Sequence, residues 1–299
     1  MVAIKEFGFK ELETADLIVD AVYKGGRSAN AGDDPLHPLI GVSNQGGFRY
    51  LGSVETPRLI VLTSSFDDPD WPDDLDKETG ILTYFGDNKR PGRALHETPR
   101  NGNRLLQNMY NAVHSKPPCR EEVAPILVFG NAGSFRDMVF LGLAVPGTPE
   151  LTAMEDLVTV WKVAGGQRFQ NYKASFTILK VPCVSRDWIN DIKLGDPLSI
   201  NCPAPYKRWI QNGIYVPLKA ESSVEHRSKA EQIPESAESQ EIVRTIHEYF
   251  KDAPVLFEAC AANIAQLMDR NFFPSISRGQ AGMVGGMPSV FIELAMVLL

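Results

Sequence analysis

The chain is poor in cysteine, has no long apolar run and carries no excess of positive charge, and each shortage excludes a class of protein. Its four cysteines (Cys119, Cys183, Cys202, Cys260) are scattered, with no C-x-x-C pair and no histidine at ligand spacing. That argues against structural zinc, and a reduced, cytoplasmic setting is the expectation. The five histidines (His37, His96, His114, His226, His247) show neither metal spacing nor an adjacent nucleophile motif. The N-terminal stretch MVAIKEFGFKELETADL is charged throughout, so no secretory leader is expected. The apolar run Pro288–Leu299 has only 12 residues, too few to span a bilayer, and no membrane partner is expected. With a net charge of -7 and a pI near 5.4, the protein does not coat nucleic acid by bulk charge; any such binding needs a local patch.

What is present is a β-rich first part. At 299 residues the chain is long enough for two domains. Strand-like runs broken by turn residues cover 16–23, 47–51, 59–63, 80–84, 126–129, 138–141, 157–163 and 172–179, which predicts a barrel or sandwich. Arg100–His114 places Leu105, Leu106, Met109 and Val113 on a shared face and is the one helix expected before residue 220, apart from a short charged one in SRDWINDIK. Residues 221–240 are polar and Ser/Glu-rich and read as a linker. Helices are expected over Glu241–Phe250 and Pro254–Met268. These cannot close a core alone, so residues 241–299 read as the truncated start of a further domain.

Residues 64–110 carry the most information. An acidic turn with Phe66, Asp67, Asp68, Asp70, Trp71, Asp73, Asp74 and Asp76 precedes the run GILTY and then the loop GDNKRPGR. From Asn88 to Arg104 stand five basic residues, Lys89, Arg90, Arg93, Arg100 and Arg104, against a single acid, Glu97. A cationic loop beside carboxylates and aromatic rings suits a polyanion that also presents a flat polar ring, which points to nucleic acid.

Taken in order, the segments DPL (34–36), GVSNQGGFRY (41–50), WPDDL (71–75), LTYFGDNKRPGR (82–93), NGNRLL (101–106), QNYKA (170–174) and FTIL (176–179) resemble the N-terminal recognition domain of the AspBHI-type modification-dependent restriction endonucleases. The resemblance covers residues 10–220. It implies an α+β chain: an SRA/PUA-like β-barrel over residues 1–220, then the linker, then a short helical fragment of a PD-(D/E)xK-type, Mrr-like nuclease domain. The function it implies is recognition of 5-methylcytosine in duplex DNA by base flipping. Other readings are an active endonuclease completed by a second chain and a PUA-like RNA-binding module.

A flipped cytosine needs rings to replace its lost stacking and a carboxylate to accept from its exocyclic amine. The resemblance implies Trp71 and Tyr84 for stacking and Asp74 for the carboxylate, with Asp73 and Asp70 as alternatives in the same acidic loop. The competing reading is a core Trp and Tyr beside a solvated loop. Asn44 and Gln45 would belong to a finger probing the gap or the orphan guanine; Asp87, Asn88, Lys89, Arg90 and Arg93 complete the DNA-binding set, with the three basic residues on phosphates. One buried methyl is worth about 0.8 kcal/mol, so preference for modified DNA is expected to be several-fold.

The family cleaves with Mg2+, but no metal ligand, catalytic residue or cofactor is expected in this chain, and a homo-oligomer is possible. The D-x-K of Asp187, Asp191 and Lys193 lacks the separate-strand acid of a nuclease site and reads as surface charge. Where the family has G-G-R-D-A, this chain has AGMVGGMPS at 281–289. An allowed codon choice for 282–290, read one base earlier, restores D-G-G-R-D-A, so the tail is expected to be out of frame.

Overall fold

The computed structural model describes residues 5–133, 135–220, 234 and 236–268. The anomalous tail therefore lies outside the described residues, as does most of the expected linker. The chain divides into two compact units, Met1–Ser222 and Ser223–Leu299.

The first unit opens with β1 (Glu6–Phe7), β2 (Leu17–Ile18), β3 (Val22–Tyr23) and α1 (Leu36–Ile40). Then come β4 (Phe48–Gly52), β5 (Pro57–Ser64), β6 (Asp74–Asp76), β7 (Ile81–Phe85) and α2 (Gly102–His114). They are followed by β8 (Ile126–Asn131), β9 (Met138–Pro146), α3 (Ala153–Asp156), β10 (Leu157–Ala164) and β11 (Gln167–Ile178). The unit closes with β12 (Cys183–Val184), α4 (Arg186–Leu194) and α5 (Ala204–Asn212).

Ten strands form one sheet with the path β4-β5-β8-β9-β11-β7-β6; β3 joins β1 to β9, and β10 hangs on β11. The pairs β5–β8 and β1–β3 are parallel and the others antiparallel. The sheet curls far enough for β7 to reach back to its opposite end. Tyr84 on β7 donates its hydroxyl hydrogen toward the carbonyls of Gly47 (3.0 Å) and Thr63 (2.9 Å), and its ring meets Phe48 of β4 edge-on at 5.3 Å. Leu82 and Tyr84 alternate inward along β7 as a half-buried strand requires.

The expected helix is α2, whose Leu105, Leu106, Met109, Tyr110 and Val113 are buried; Tyr110 packs edge-on against Phe176 of β11. Three expectations need correction. The run 16–23 is two strands, because Asp20 takes a left-handed φ of 63° and turns the chain from one pairing partner to another. Residues before 220 hold more than two helices: α5 buries Tyr206 and Trp209, and Trp188 of α4 stacks edge-on to Tyr206 at 5.4 Å. Arg186 of α4 donates to the carbonyls of Leu12, Ala15 and Leu39 and fastens this end of the unit to its beginning. In the second unit, α6 (Ala237–Phe250) starts inside the expected linker, because Ser236 caps it by accepting from the Ser239 N–H at 3.1 Å. It is followed by α7 (Pro254–Met268).

One buried ion pair fixes the start of β4. Arg49 donates to both carboxylate oxygens of Asp34 at 2.8 Å and to the carbonyls of Gly46 and Ser43; the two side chains are 4% and 2% exposed. Arg49→Met strands a buried carboxylate and should cost about 3–5 kcal/mol in urea unfolding. Adding Asp34→Asn should recover most of that loss. A single variant as stable as the wild type would show the pair to be dispensable.

Candidate functional site: an acidic-floored cleft at the sheet seam

Where the curled sheet brings β7 against β4 and β5, a cleft of about 1220 Å³ opens. Its walls are the end of β5 (Thr63, Ser64), the 46–49 turn, the acidic loop at Asp67, Asp68 and Asp73, and the basic loop from Gly86 to Arg93. Arg100, Asn131 and Met138 complete the rim.

The acidic loop is held by its own side chains. The Asp68 carboxylate accepts from the Asp70 and Trp71 N–H groups, a turn that short acids favour. Trp71 is 3% exposed. Its ring lies between Phe85 (5.6 Å) and Phe169 (6.0 Å), its Nε1 donates to the Lys89 carbonyl at 3.4 Å, and the Lys162 ammonium sits 4.8 Å from its centroid. Two residues on, this anchor sets Asp73 across the seam. One oxygen of Asp73 accepts from Ser64 Oγ at the end of β5, and the other from the Phe85 N–H at the end of β7, both at 2.7 Å. Desolvation raises the Asp73 pKa above its ordinary value, against those two hydrogen bonds and the nearby Lys89 charge.

The basic loop is pinned from two sides. Gly86 passes so close to Asn103 and Asn171 that any Cβ would collide with them. The Asp87 carboxylate accepts from the N–H groups of Gly102 and Asn103 at 3.0 Å, serving the first turn of α2. Asn88, 2% exposed, donates to the Gln170 carbonyl at 2.8 Å. Lys89 pairs with Asp68 at 2.9 Å, and that hydrogen bond is the main reason the Asp68 carboxyl titrates below its ordinary range. Arg90, Arg93 and Arg100 are exposed, and among the described residues none of them forms an ion pair.

Six of the expected site residues therefore meet at one cleft: Tyr84, Asp87, Asn88, Lys89, Arg90 and Arg93. Two do not face it. Trp71, expected as a stacking residue, is walled in by rings behind the acidic loop. Asp74 is exposed on edge strand β6, paired with Thr83 of β7, while its alternative Asp73 lines the cleft together with Asp67, Asp68 and Asp87. An acid on a short edge strand instead discourages unwanted pairing. Asn44 is tied to the Ala31 carbonyl at 3.0 Å, while Gln45 is exposed beside the 46–49 wall. Tyr84 lines the cleft with little free surface, at 3% exposure and with its hydroxyl committed to the sheet. Ser64, Arg100, Asn131 and Met138 were missed. Only Arg100 left a trace in the sequence, as part of the basic run; the others reach the cleft through strand pairing.

No group of three or more His, Cys, Asp or Glu residues able to hold a metal ion is present among the described residues. Nor, among those residues, is any helix long and apolar enough to cross a membrane.

Fold and cleft together define a mixed α+β module whose curled sheet holds an open site with an acidic floor and a cationic rim. The family described as restriction endonuclease AspBHI, N-terminal, matches residues 17–221, and the chain belongs to it. The DNA modification-dependent restriction endonuclease AspBHI is 47% identical with a TM-score of 0.72, over 88% of this chain and 68% of that one. The DNA recognition domain of the cytosine modification-dependent restriction endonuclease LpnPI is 45% identical with a TM-score of 0.70, over 75% of this chain and all of that domain. The MspJI restriction endonuclease, solved with a 27-mer oligonucleotide, shares the fold at 21% identity and a TM-score of 0.52, over 86% of this chain and 66% of that one. A search among curated proteins found no match.

Burial of Asp73 has a measurable consequence. Because its folded pKa lies above the ordinary 3.8, the folded state holds this proton more tightly than the unfolded chain. Its stabilising contribution is complete below the unfolded value and is lost as pH rises through the raised one. Asp73→Asn keeps the shape and removes the ionisation. It should match the wild type in acid and melt higher at neutral pH. Thermal melts at both pH values test this, and a variant less stable at neutral pH would contradict it.

Proposed function

We propose that the first unit reads a modified cytosine in duplex DNA by taking the base out of the helix into the cleft. In this reading the curled sheet is the crescent barrel of an SRA-like domain and the cleft is the base pocket. Asp73 carries the argument: it is a desolvated carboxylate whose two oxygens are aimed by Ser64 and Phe85 and keep free lone pairs. Cytosine offers an amine donor on its Watson–Crick edge, which such a group accepts. The kinship with AspBHI and with the LpnPI recognition domain supports cytosine modification as the feature read. Arg90, Arg93 and Arg100 hold phosphates at the rim, which orients the duplex without reading sequence.

The test is a fluorescence-anisotropy titration of the full chain with matched duplexes containing one 5-methylcytosine or none. The wild type should prefer the methylated duplex several-fold. Asp73→Asn turns an amide toward the base amine and should erase that several-fold preference by weakening binding to methylated DNA. Its binding to the unmodified duplex should barely change. Equal losses on both would mean that Asp73 serves only the fold.

The rim is tested through salt. Each phosphate contact removed should flatten the dependence of log K on log salt by about 0.9. The triple variant Arg90→Ala, Arg93→Ala, Arg100→Ala should therefore lose roughly 2.7 of slope while keeping much of its preference for methylated DNA. An unchanged slope would take this rim off the DNA.

A further inference from the structure

Beside the cleft, the turn joining β8 to β9 lifts one phenyl ring into solvent. Phe135 is 83% exposed, while Trp161, the next most exposed ring of the first unit among the described residues, reaches 51%. Asn131 and Met138, paired at the base of this hairpin, belong to the cleft wall. Phe135 stands three positions before Met138, a reach of at most roughly 10 Å. That is enough to carry a ring from the cleft rim to the base stack through a groove about 7.5–8.5 Å deep.

The ring is also held in place. Asp137, 6% exposed, accepts both arms of the Arg27 guanidinium at 2.9 Å and the Gly25 N–H at 2.8 Å. Arg27 donates further to the carbonyls of Gly25 and Gly26, which fixes its guanidinium plane 4.5 Å from the Phe135 centroid. The Phe135 backbone sits at φ 45°, a left-handed conformation that an aromatic residue rarely adopts. Strain of that kind persists where the surroundings impose it, and it gathers at functional positions. An apolar ring kept out of the core, braced from beneath and set at the lip of a base pocket is poorly explained by folding alone.

We propose that Phe135 is the wedge that enters the duplex and stacks in the gap left by the extruded cytosine, with Arg27 and Asp137 as its brace. A vacated position exposes two base faces to water, and an apolar side chain inserted between base steps covers them. The exposed Gln45, next to the 46–49 wall in the chain, is polar and lacks this stacking face. The inference rests on the base-flipping reading of the cleft.

The experiment titrates wild type, Phe135→Ala and Phe135→Trp full-length chains against both duplexes, with 2-aminopurine placed next to the methylated cytosine. Being exposed, Phe135 can be truncated with little effect on folding, which a melting curve checks. Loss of base–aromatic stacking should cost Phe135→Ala most of the wild type's several-fold advantage on methylated duplex. The loss on unmodified duplex should be much smaller, and Phe135→Trp should restore binding. In saturated complexes 2-aminopurine should be brighter with Phe135→Ala than with the wild type, because its neighbour is gone. Should the wild type prefer methylated DNA while Phe135→Ala binds it equally well, or lose equally on both duplexes, the wedge alone is overturned. A wild type that binds both duplexes alike overturns the base-flipping reading, and the wedge with it.

Discussion

The site in the first unit depends on how the curled sheet is held where its two ends approach. Tyr84 and Asp73 span that seam side by side. The tyrosine hydroxyl reaches the carbonyls of Gly47 and Thr63, and the carboxylate links Ser64 to the Phe85 N–H. Each satisfies groups that water would otherwise need to reach, and an unpaired buried polar group costs about as much as a lost hydrogen bond. Because the links run through side chains, the seam stays wide enough to leave a cleft. A continued strand ladder would have filled that space with backbone.

Much of the sequence pattern that marks the family serves to brace this cleft. Gly86 threads between Asn103 and Asn171, Asp87 holds the first turn of α2, and Asn88 is bound to β11. These residues come from distant parts of the chain and converge on one short loop. Their common effect is to fix a basic segment whose cations would otherwise wander. A loop ordered before binding loses less conformational entropy when it meets its ligand. Polar residues in a loop that read as ligand contacts can thus be the reason the loop has a shape at all.

The sequence was most legible where local pattern decides structure. The long strands and α2 follow from periodicity, and the acidic and basic loops from composition. It was least legible where register and distant pairing decide. Asp73 and Asp74 are neighbours of the same type, and only the short pairing of Asp74 with Thr83 on β6 sends one outward and leaves the other at the seam. Trp71 carries no local mark of the slot it fills, because Phe85 and Phe169 come from different strands. α5 was missed because its apolar residues, Tyr206, Trp209 and Ile210, make too short a stripe to stand out. Nothing in the local sequence marks Phe135, and its brace from Arg27 is visible only in the structure.

The charge pattern of the cleft shows how an acidic protein can still present a surface suited to a polyanion. Asp68 is matched by Lys89 and Asp70 by Lys162, so two acids of the loop are neutralised close to where they stand. Such exposed pairs contribute little to stability. Their effect is on the local field, since each cancels a negative charge that would face an incoming phosphate. Asp67 remains exposed, and Asp73 lies recessed at the seam, where burial raises its pKa. Arg90, Arg93 and Arg100 then dominate the rim, and charges farther off than a Debye length of about 8–10 Å are largely screened. Cations at the mouth and a carboxyl at the floor are a usable pairing for a ligand with a charged backbone and a polar, uncharged ring. The same separation makes rim and floor testable apart, because salt weakens the first far more than the second.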